Sequence, residues 1–174
     1  MGSQPYCYVT LYDADLNAAL QRLRLREFMA GRYDPALLAA DPPTYTFRQV
    51  FPPDARFPTP GAQHPSIDAA MADAGPSGTG TILDIMAISA TPQFQFATLF
   101  SEREVAAVIG VPRPTRADVE AFMIDPAEFR SLPPERMTRA LALWSMIPRG
   151  QARIVVLYEQ EAPRELFIAG MSID

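Results

Sequence analysis

The stretch ARIVVLY, residues 152–158, is the strongest indication of the fold in this sequence. Residues 154–157 are apolar without alternation, which is typical of a strand covered on both faces at the centre of a sheet. A second apolar stretch, ELFIAGMSI at 165–173, follows after a short connection around Pro163. We therefore predict a C-terminal β-hairpin over residues 152–174, with its first strand in a central position.

The N-terminal stretch YCYVTLY, residues 6–12, predicts another strand, because its side chains alternate strictly. One face carries Cys7, Val9 and Leu11; the other carries Tyr6, Tyr8, Thr10 and Tyr12. Weaker strand patterns occupy 44–51, 81–88 and 93–100. Together they indicate an α+β fold, with a mostly antiparallel sheet of four to five strands and helices packed mainly on one side.

Local capping signals place the helices between these strands. A helix over about 16–30 is capped by Asp13 or Asp15 and ended by Gly31, and Ser66 caps a helix over 67–74. Later helix starts are the Ser101–Glu104 capping box, the Thr115–Asp118 pair, an Asp125–Glu128 start, and Pro134 at the first position of its helix. In the first helix, Leu25 and Met29 lie opposite the other leucines. That pattern predicts either a helix covered on two sides or a break near Arg24. Its arginines are expected to pair with the acidic half of the chain.

Residues 34–66 form a long excursion broken by prolines 35, 42, 43, 52, 53, 58, 60 and 65. Loops of this length inside a compact domain are usually functional or mobile. A chain of 174 residues can bury a sufficient core without staples. We predict a single globular domain over 1–174.

The composition excludes several classes of active site. All fifteen basic residues are arginine, so no Schiff-base or P-loop lysine exists. One cysteine and one histidine leave no zinc cluster and no internal disulfide, and we predict no metal and no cofactor. The missing lysine fits a GC-rich bacterial genome. No stretch approaches the roughly 20 apolar residues of a membrane span, so we expect a soluble cytoplasmic protein without membrane contact.

The charge is distributed unevenly. The net charge is −5, and residues 67–174 carry the whole excess of acid. That half would repel a phosphate backbone, which argues against nucleic acid and favours a basic protein partner.

The glycine-rich stretch 75–80, GPSGTG, has the outer spacing of a phosphate-binding P-loop. However, Thr81 stands where that loop requires lysine, and the stretch follows a predicted helix instead of opening one. We therefore interpret it as a connection between helix and strand.

Three residues are candidates for catalysis. His64 is the only side chain that ordinarily titrates near neutrality, Asp84 interrupts a predicted strand, and Cys7 is the only thiol. A pocket near residues 52–66 could use His64 with Asp84. The structural alternative is that Asp84 pairs with Arg48 or Arg153, and that Cys7 is an inert core residue.

Two surfaces are candidates for binding. Tyrosines are common at binding hot spots, which draws attention to the face formed by Tyr6, Tyr8 and Tyr12, unless helices cover it. The second candidate is a set of carboxylates that would suit a basic partner or serve only as solvated surface: Asp118, Glu120, Glu159 and Glu161, with Asp125, Glu128 and Glu165 nearby.

These observations support three hypotheses. The first is a cytosolic protein-binding module that engages a basic protein partner through an acidic surface, in the manner of an inhibitory or immunity-type protein. The second is a small enzyme or ligand-binding protein that uses His64 and Asp84. The third is a homo-oligomer in which the proline-rich excursion reaches a neighbour. The absence of a catalytic motif favours the first.

Overall fold

The computed structural model describes residues 3–37, 59–120, 122 and 133–173. Within them the strands are β1 (Pro5–Leu11), β2 (Ala87–Ser89), β3 (Phe96–Leu99), β4 (Ala152–Glu159) and β5 (Ala162–Met171). The helices are α1 (Leu16–Ala30), α2 (Ile67–Ala74), α3 (Glu102–Ile109), α4 (Arg116–Glu120) and α5 (Pro134–Ser145).

The five strands form one sheet in the order β1-β5-β4-β3-β2. β5 pairs antiparallel with both β1 and β4, whereas β3 pairs parallel with both β4 and β2. The α+β class and the central position of β4 are confirmed, and the sheet is mixed rather than purely antiparallel. β4 and β5 form the expected hairpin.

The helices cover both faces of the sheet, in contrast to the expectation that they lie mainly on one side. One core contains Tyr6, Tyr8 and residues of α1 and α2, and defines what we call the α1 face. The other contains Cys7 and residues of α3 to α5, and defines the α3 face. Because β3 and β4 are parallel, the chain between them crosses over, and α3 to α5 lie along that crossover on the face opposite α1.

The local helix signals are confirmed where the structure describes them. Asp15 caps α1 by accepting a hydrogen bond from the Ala18 N–H, and Gly31 ends it in the left-handed conformation. Ser66 caps α2, and Ser101 and Glu104 form the capping box of α3. The proposed helix start at 125–128 and the strand at 44–51 lie outside the described residues, as does most of the 34–66 excursion.

The predicted strand over 81–88 is wrong in its first half. Residues Ile82–Asp84 form a 3₁₀ turn, and the strand begins only at Ala87. The Thr81 hydroxyl accepts a hydrogen bond from the Leu83 N–H, so the side chain competes with a sheet partner for this main-chain donor.

α1 runs without a break, and the described residues leave its second apolar side open. Leu25 is 54% and Met29 60% exposed, whereas Leu20 and Leu23 are buried in the core of the α1 face. Neither of the two outcomes expected for this helix, full cover or a break, is therefore observed.

Within the described residues, no helix has the length and apolarity required to cross a bilayer.

Candidate functional site

The glycine-rich loop closes around the carboxylate of Asp84. Asp84 Oδ1 accepts hydrogen bonds from the Thr79 N–H at 2.7 Å and the Thr79 hydroxyl at 2.8 Å, and Oδ2 accepts one from the Gly80 N–H at 3.1 Å. A Cβ atom on Gly78 would lie 2.7 Å from Asp84 Oδ2, so the main chain can approach this closely only as glycine. The acceptor in this nest of N–H groups is the protein's own side chain.

Asp84 is almost fully buried, and burial raises its pKa, although the hydrogen bonds from Thr79, Gly80 and Thr81 act in the opposite direction. The expected partner Arg153 bonds Glu104 instead, at 2.8 Å, and Arg48 lies outside the described residues. Asp84 therefore organises the loop through main-chain donors rather than through the ion pair with Arg153.

His64 lies between a buried tyrosine and an exposed carboxylate. Its Nδ1 is 2.9 Å from the Tyr33 hydroxyl, and its Nε2 is 3.2 Å from Asp73 Oδ2. The Tyr33 hydroxyl also accepts a hydrogen bond from the Gln63 N–H at 3.1 Å. The sequence did not indicate Tyr33 or Asp73 as partners of His64.

This Asp73–His64–Tyr33 chain has the order of an acid, an imidazole and a hydroxyl, which is the order of a nucleophilic triad. Tyr33, however, is fully buried and stacks on Phe28, so its hydroxyl is closed to a substrate in this conformation. The contacts of His64 join the 59–66 segment to Tyr33, which follows the end of α1, and to Asp73 in α2. They do not include Asp84, which bonds its own loop.

Cys7 is fully buried on the α3 face, and burial raises the pKa of its thiol. A raised pKa keeps the sulfur protonated near neutrality, which disfavours a nucleophilic role. Within the described part of the chain, no group of three histidine, cysteine or carboxylate side chains is placed to hold a metal ion.

The tyrosine face of β1 lies under α1. Tyr6 and Tyr8 are buried in the core, and Tyr12 is half-buried at its edge. The side chains of Tyr6 and Tyr8 therefore offer no contact surface in this conformation. The reason is that α1 follows β1 directly and folds back onto this face.

The described carboxylates of the predicted set gather around the β4–β5 hairpin, where arginines contact most of them. Arg113 contacts Glu161 at 3.2 Å and Glu102 at 3.5 Å, and Arg116 contacts Glu165 at 2.9 Å and Glu120 at 3.6 Å. Arg164 forms an ion pair with Glu159. Asp118 accepts hydrogen bonds from the N–H and the hydroxyl of Thr115, the residue before α4. Asp125 and Glu128 lie outside the described residues.

This set carries an acidic excess. Its six carboxylates, Glu102, Asp118, Glu120, Glu159, Glu161 and Glu165, face three arginines, Arg113, Arg116 and Arg164. Most of these side chains are exposed, and Glu161 at the turn is 86% exposed. Ion pairs this exposed contribute little to stability, so they are available for exchange with a partner.

Two exposed apolar side chains accompany the carboxylates. Leu11 is 71% exposed and lies directly opposite Glu165 in the β1–β5 register, so the two side chains share one face of the sheet. Val111 is 38% exposed in the loop before Arg113, and that loop lies along β4 because the Tyr158 N–H donates to the Pro114 carbonyl at 2.8 Å. We call Leu11, Val111 and the nine charged residues the hairpin surface.

The sequence did not indicate Leu11 as a surface residue. Its alternation with Cys7 and Val9 predicted a buried side chain, and Cys7 is indeed buried. β1 extends beyond the helices that cover its first half, so the last apolar residue of the pattern is left in solvent.

The turn of the hairpin holds two non-glycine residues in the left-handed region, Gln160 at φ 48° and Glu161 at φ 66°. Two-residue turns of this kind favour Asn-Gly, because most other side chains are strained there. The double substitution Gln160→Asn/Glu161→Gly is expected to raise the free energy of unfolding by about 1 kcal/mol, measured by denaturant titration. An unchanged or lower stability would contradict a strained turn. The same variant removes the carboxylate of Glu161, which is 86% exposed, from the hairpin surface.

Comparisons of this protein with protein-family models, with curated proteins and with solved structures each found no match.

Proposed function

We propose that this protein is a binding module that engages a basic protein partner through the hairpin surface, and that it acts in the cytoplasm of a bacterial cell. The observation that carries the proposal is the position of Leu11, an exposed apolar side chain directly opposite Glu165 within the acidic set. Apolar anchors inside a polar, charged rim are the usual composition of protein interfaces.

The acidic charge of the hairpin surface favours a basic partner. An excess of carboxylate attracts arginine and lysine side chains of a partner and speeds encounter at low salt. The three arginines of the surface contact its carboxylates through exposed ion pairs, and a guanidinium of a partner can replace them. Binding through such a surface weakens as salt is added, since exposed charges are screened over about 10 Å at 0.1 M.

The rival hypothesis of a His64–Asp84 active site has less support. His64 bonds Tyr33 and Asp73, whereas Asp84 accepts hydrogen bonds from its own loop. Both side chains have a role in holding loops that requires no substrate.

Capture of partners from a lysate of the source cells tests the proposal. The double variant Glu159→Arg/Glu161→Arg is expected to retain less than about a tenth of the partner that wild-type protein retains, because it replaces attraction with repulsion. A matched control, Asp68→Arg/Glu135→Arg, changes the net charge equally at exposed positions outside the hairpin surface. His64→Ala serves as a second control.

Both control variants are expected to capture the partner at the wild-type level, with folding checked by thermal unfolding. Equal loss in the hairpin variant and in the matched control would indicate a general charge effect. Loss in His64→Ala alone would favour the rival hypothesis. Either outcome would overturn the proposed surface.

A further inference from the structure

The outward side of α1 is an apolar and basic face that the described residues leave exposed. Arg22, Leu25, Arg26 and Met29 follow one another at helical spacing and form what we call the α1 stripe. Leu25 and Met29 are each more than half exposed. A helix face of this spacing and composition is a common element of helix-mediated recognition.

The exposed charge of the α1 stripe is positive, although each of its arginines contacts a carboxylate. The side chains of Arg22 and Arg26 are 55% and 46% exposed, whereas those of their partners Asp13 and Glu27 are 34% and 1% exposed. Glu27 accepts hydrogen bonds from Arg32 at 2.7 and 2.8 Å and also from Arg26 at 2.9 Å, so a single carboxylate faces two guanidinium groups. Arg22 pairs with Asp13 at 2.8 Å, and both of these side chains are partly exposed. The stripe is therefore a basic counterpart to the acidic hairpin surface.

The two surfaces match in composition and differ in sign. The hairpin surface offers Leu11 and Val111 with an excess of carboxylate. The α1 stripe offers Leu25 and Met29 beside the exposed guanidinium groups of Arg22 and Arg26. α1 packs on one face of the sheet, whereas α3 and α4, which supply much of the hairpin surface, pack on the other. The stripe and the hairpin surface of one molecule thus point in different directions.

We propose that the hairpin surface of one copy binds the α1 stripe of a second copy. This inference rests on the proposed function and names the partner as a second copy of the same chain, which presents its α1 stripe. The contact is heterologous, because two different patches meet. Each bound pair leaves one patch of each kind free, and the assembly either closes into a ring or grows with concentration.

Two reversed variants test this pairing by sedimentation over a concentration series. Arg22→Glu/Leu25→Glu makes the α1 stripe acidic, and Glu159→Arg/Glu161→Arg makes the hairpin surface basic. Each variant alone presents two patches of the same sign, so its self-association is expected to be at least about tenfold weaker than that of the wild type. An equimolar mixture again contains opposite patches, and it is expected to associate within about threefold of the wild-type strength.

A wild-type chain that sediments as a monomer up to about 0.5 mM would overturn the self-association. That result would leave the capture experiment unaffected, since capture of a different basic protein does not require the α1 stripe. A mixture that fails to associate, or a single variant that associates as the wild type does, would also overturn the pairing. Leu25→Ser/Met29→Ser, which adds no charge, must weaken association too, and it replaces the acidic stripe variant if that variant does not fold.

Discussion

Replacement of Asp84 by alanine is expected to lower the free energy of unfolding by about 3 kcal/mol, because it leaves buried main-chain donors without an acceptor. The N–H groups of Thr79 and Gly80 and the Thr79 hydroxyl all bond this carboxylate. Relief of the buried charge offsets part of the loss. Chemical denaturation of both proteins measures the difference.

Two companion variants define the cause. Thr79→Val removes one hydroxyl donor and keeps the carboxylate, so it is expected to cost only about 1 kcal/mol. Asp84→Asn keeps the shape of the side chain but replaces one acceptor oxygen with an NH₂ group that faces the N–H donors of the loop. Its loss of unfolding free energy is expected to lie between those of Thr79→Val and Asp84→Ala. A loss below about 1 kcal/mol for Asp84→Ala would contradict a loop organised around this carboxylate.

The pKa of Asp84 gives the sign of a pH effect. Burial raises this pKa above the ordinary value of 3.8, so the folded chain binds a proton more readily than the unfolded chain. The stability that Asp84 contributes is therefore greatest below pH 3.8 and declines as pH rises through the folded pKa. The difference between wild type and Asp84→Ala is accordingly expected to narrow toward neutral pH.

Replacement of Glu27 by alanine is expected to cost about 3–5 kcal/mol, because it leaves the nearly buried guanidinium of Arg32 without its carboxylate. Arg32 donates two hydrogen bonds to Glu27, and both residues are at most 9% exposed. The double variant Glu27→Ala/Arg32→Ala removes both charges together. It is expected to lose at least about 1 kcal/mol less than the sum of the two single losses.

A double-mutant cycle by thermal or chemical unfolding measures this coupling. Arg26→Ala is the control, because its exposed side chain contributes only one bond to the same carboxylate. Additive losses for Glu27 and Arg32 would contradict an energetically coupled buried pair. A large loss of unfolding free energy for Arg26→Ala would indicate that Glu27 is coupled to Arg26 and not to Arg32.

Features encoded over a few neighbouring residues could be predicted from the sequence. The N-caps Asp15, Ser66 and Ser101 each satisfy helix N–H groups within three residues, so their signal is complete in the local sequence. The unalternating core of β4 likewise predicted a central strand, which the structure confirms.

Features that depend on distant contacts could not be predicted. The direction of β3 relative to β4 follows from a crossover whose described part includes α3 to α5, and no local pattern encodes it. The arginines of α1 were expected to pair with the acidic half of the chain, whereas Arg22 bonds Asp13 and Arg26 bonds Glu27, both in the same half. The exposure of Leu11 depends on how far the helices of the α3 face extend over the sheet.

Hydrogen exchange with and without the captured basic partner tests the central claim most directly, because it reports where on the chain the partner binds. The proposed function predicts added protection in the hairpin over residues 157–166 and in the 111–120 segment, with little change at 59–66. Protection confined to the 59–66 segment around His64, with an unchanged hairpin, would contradict it.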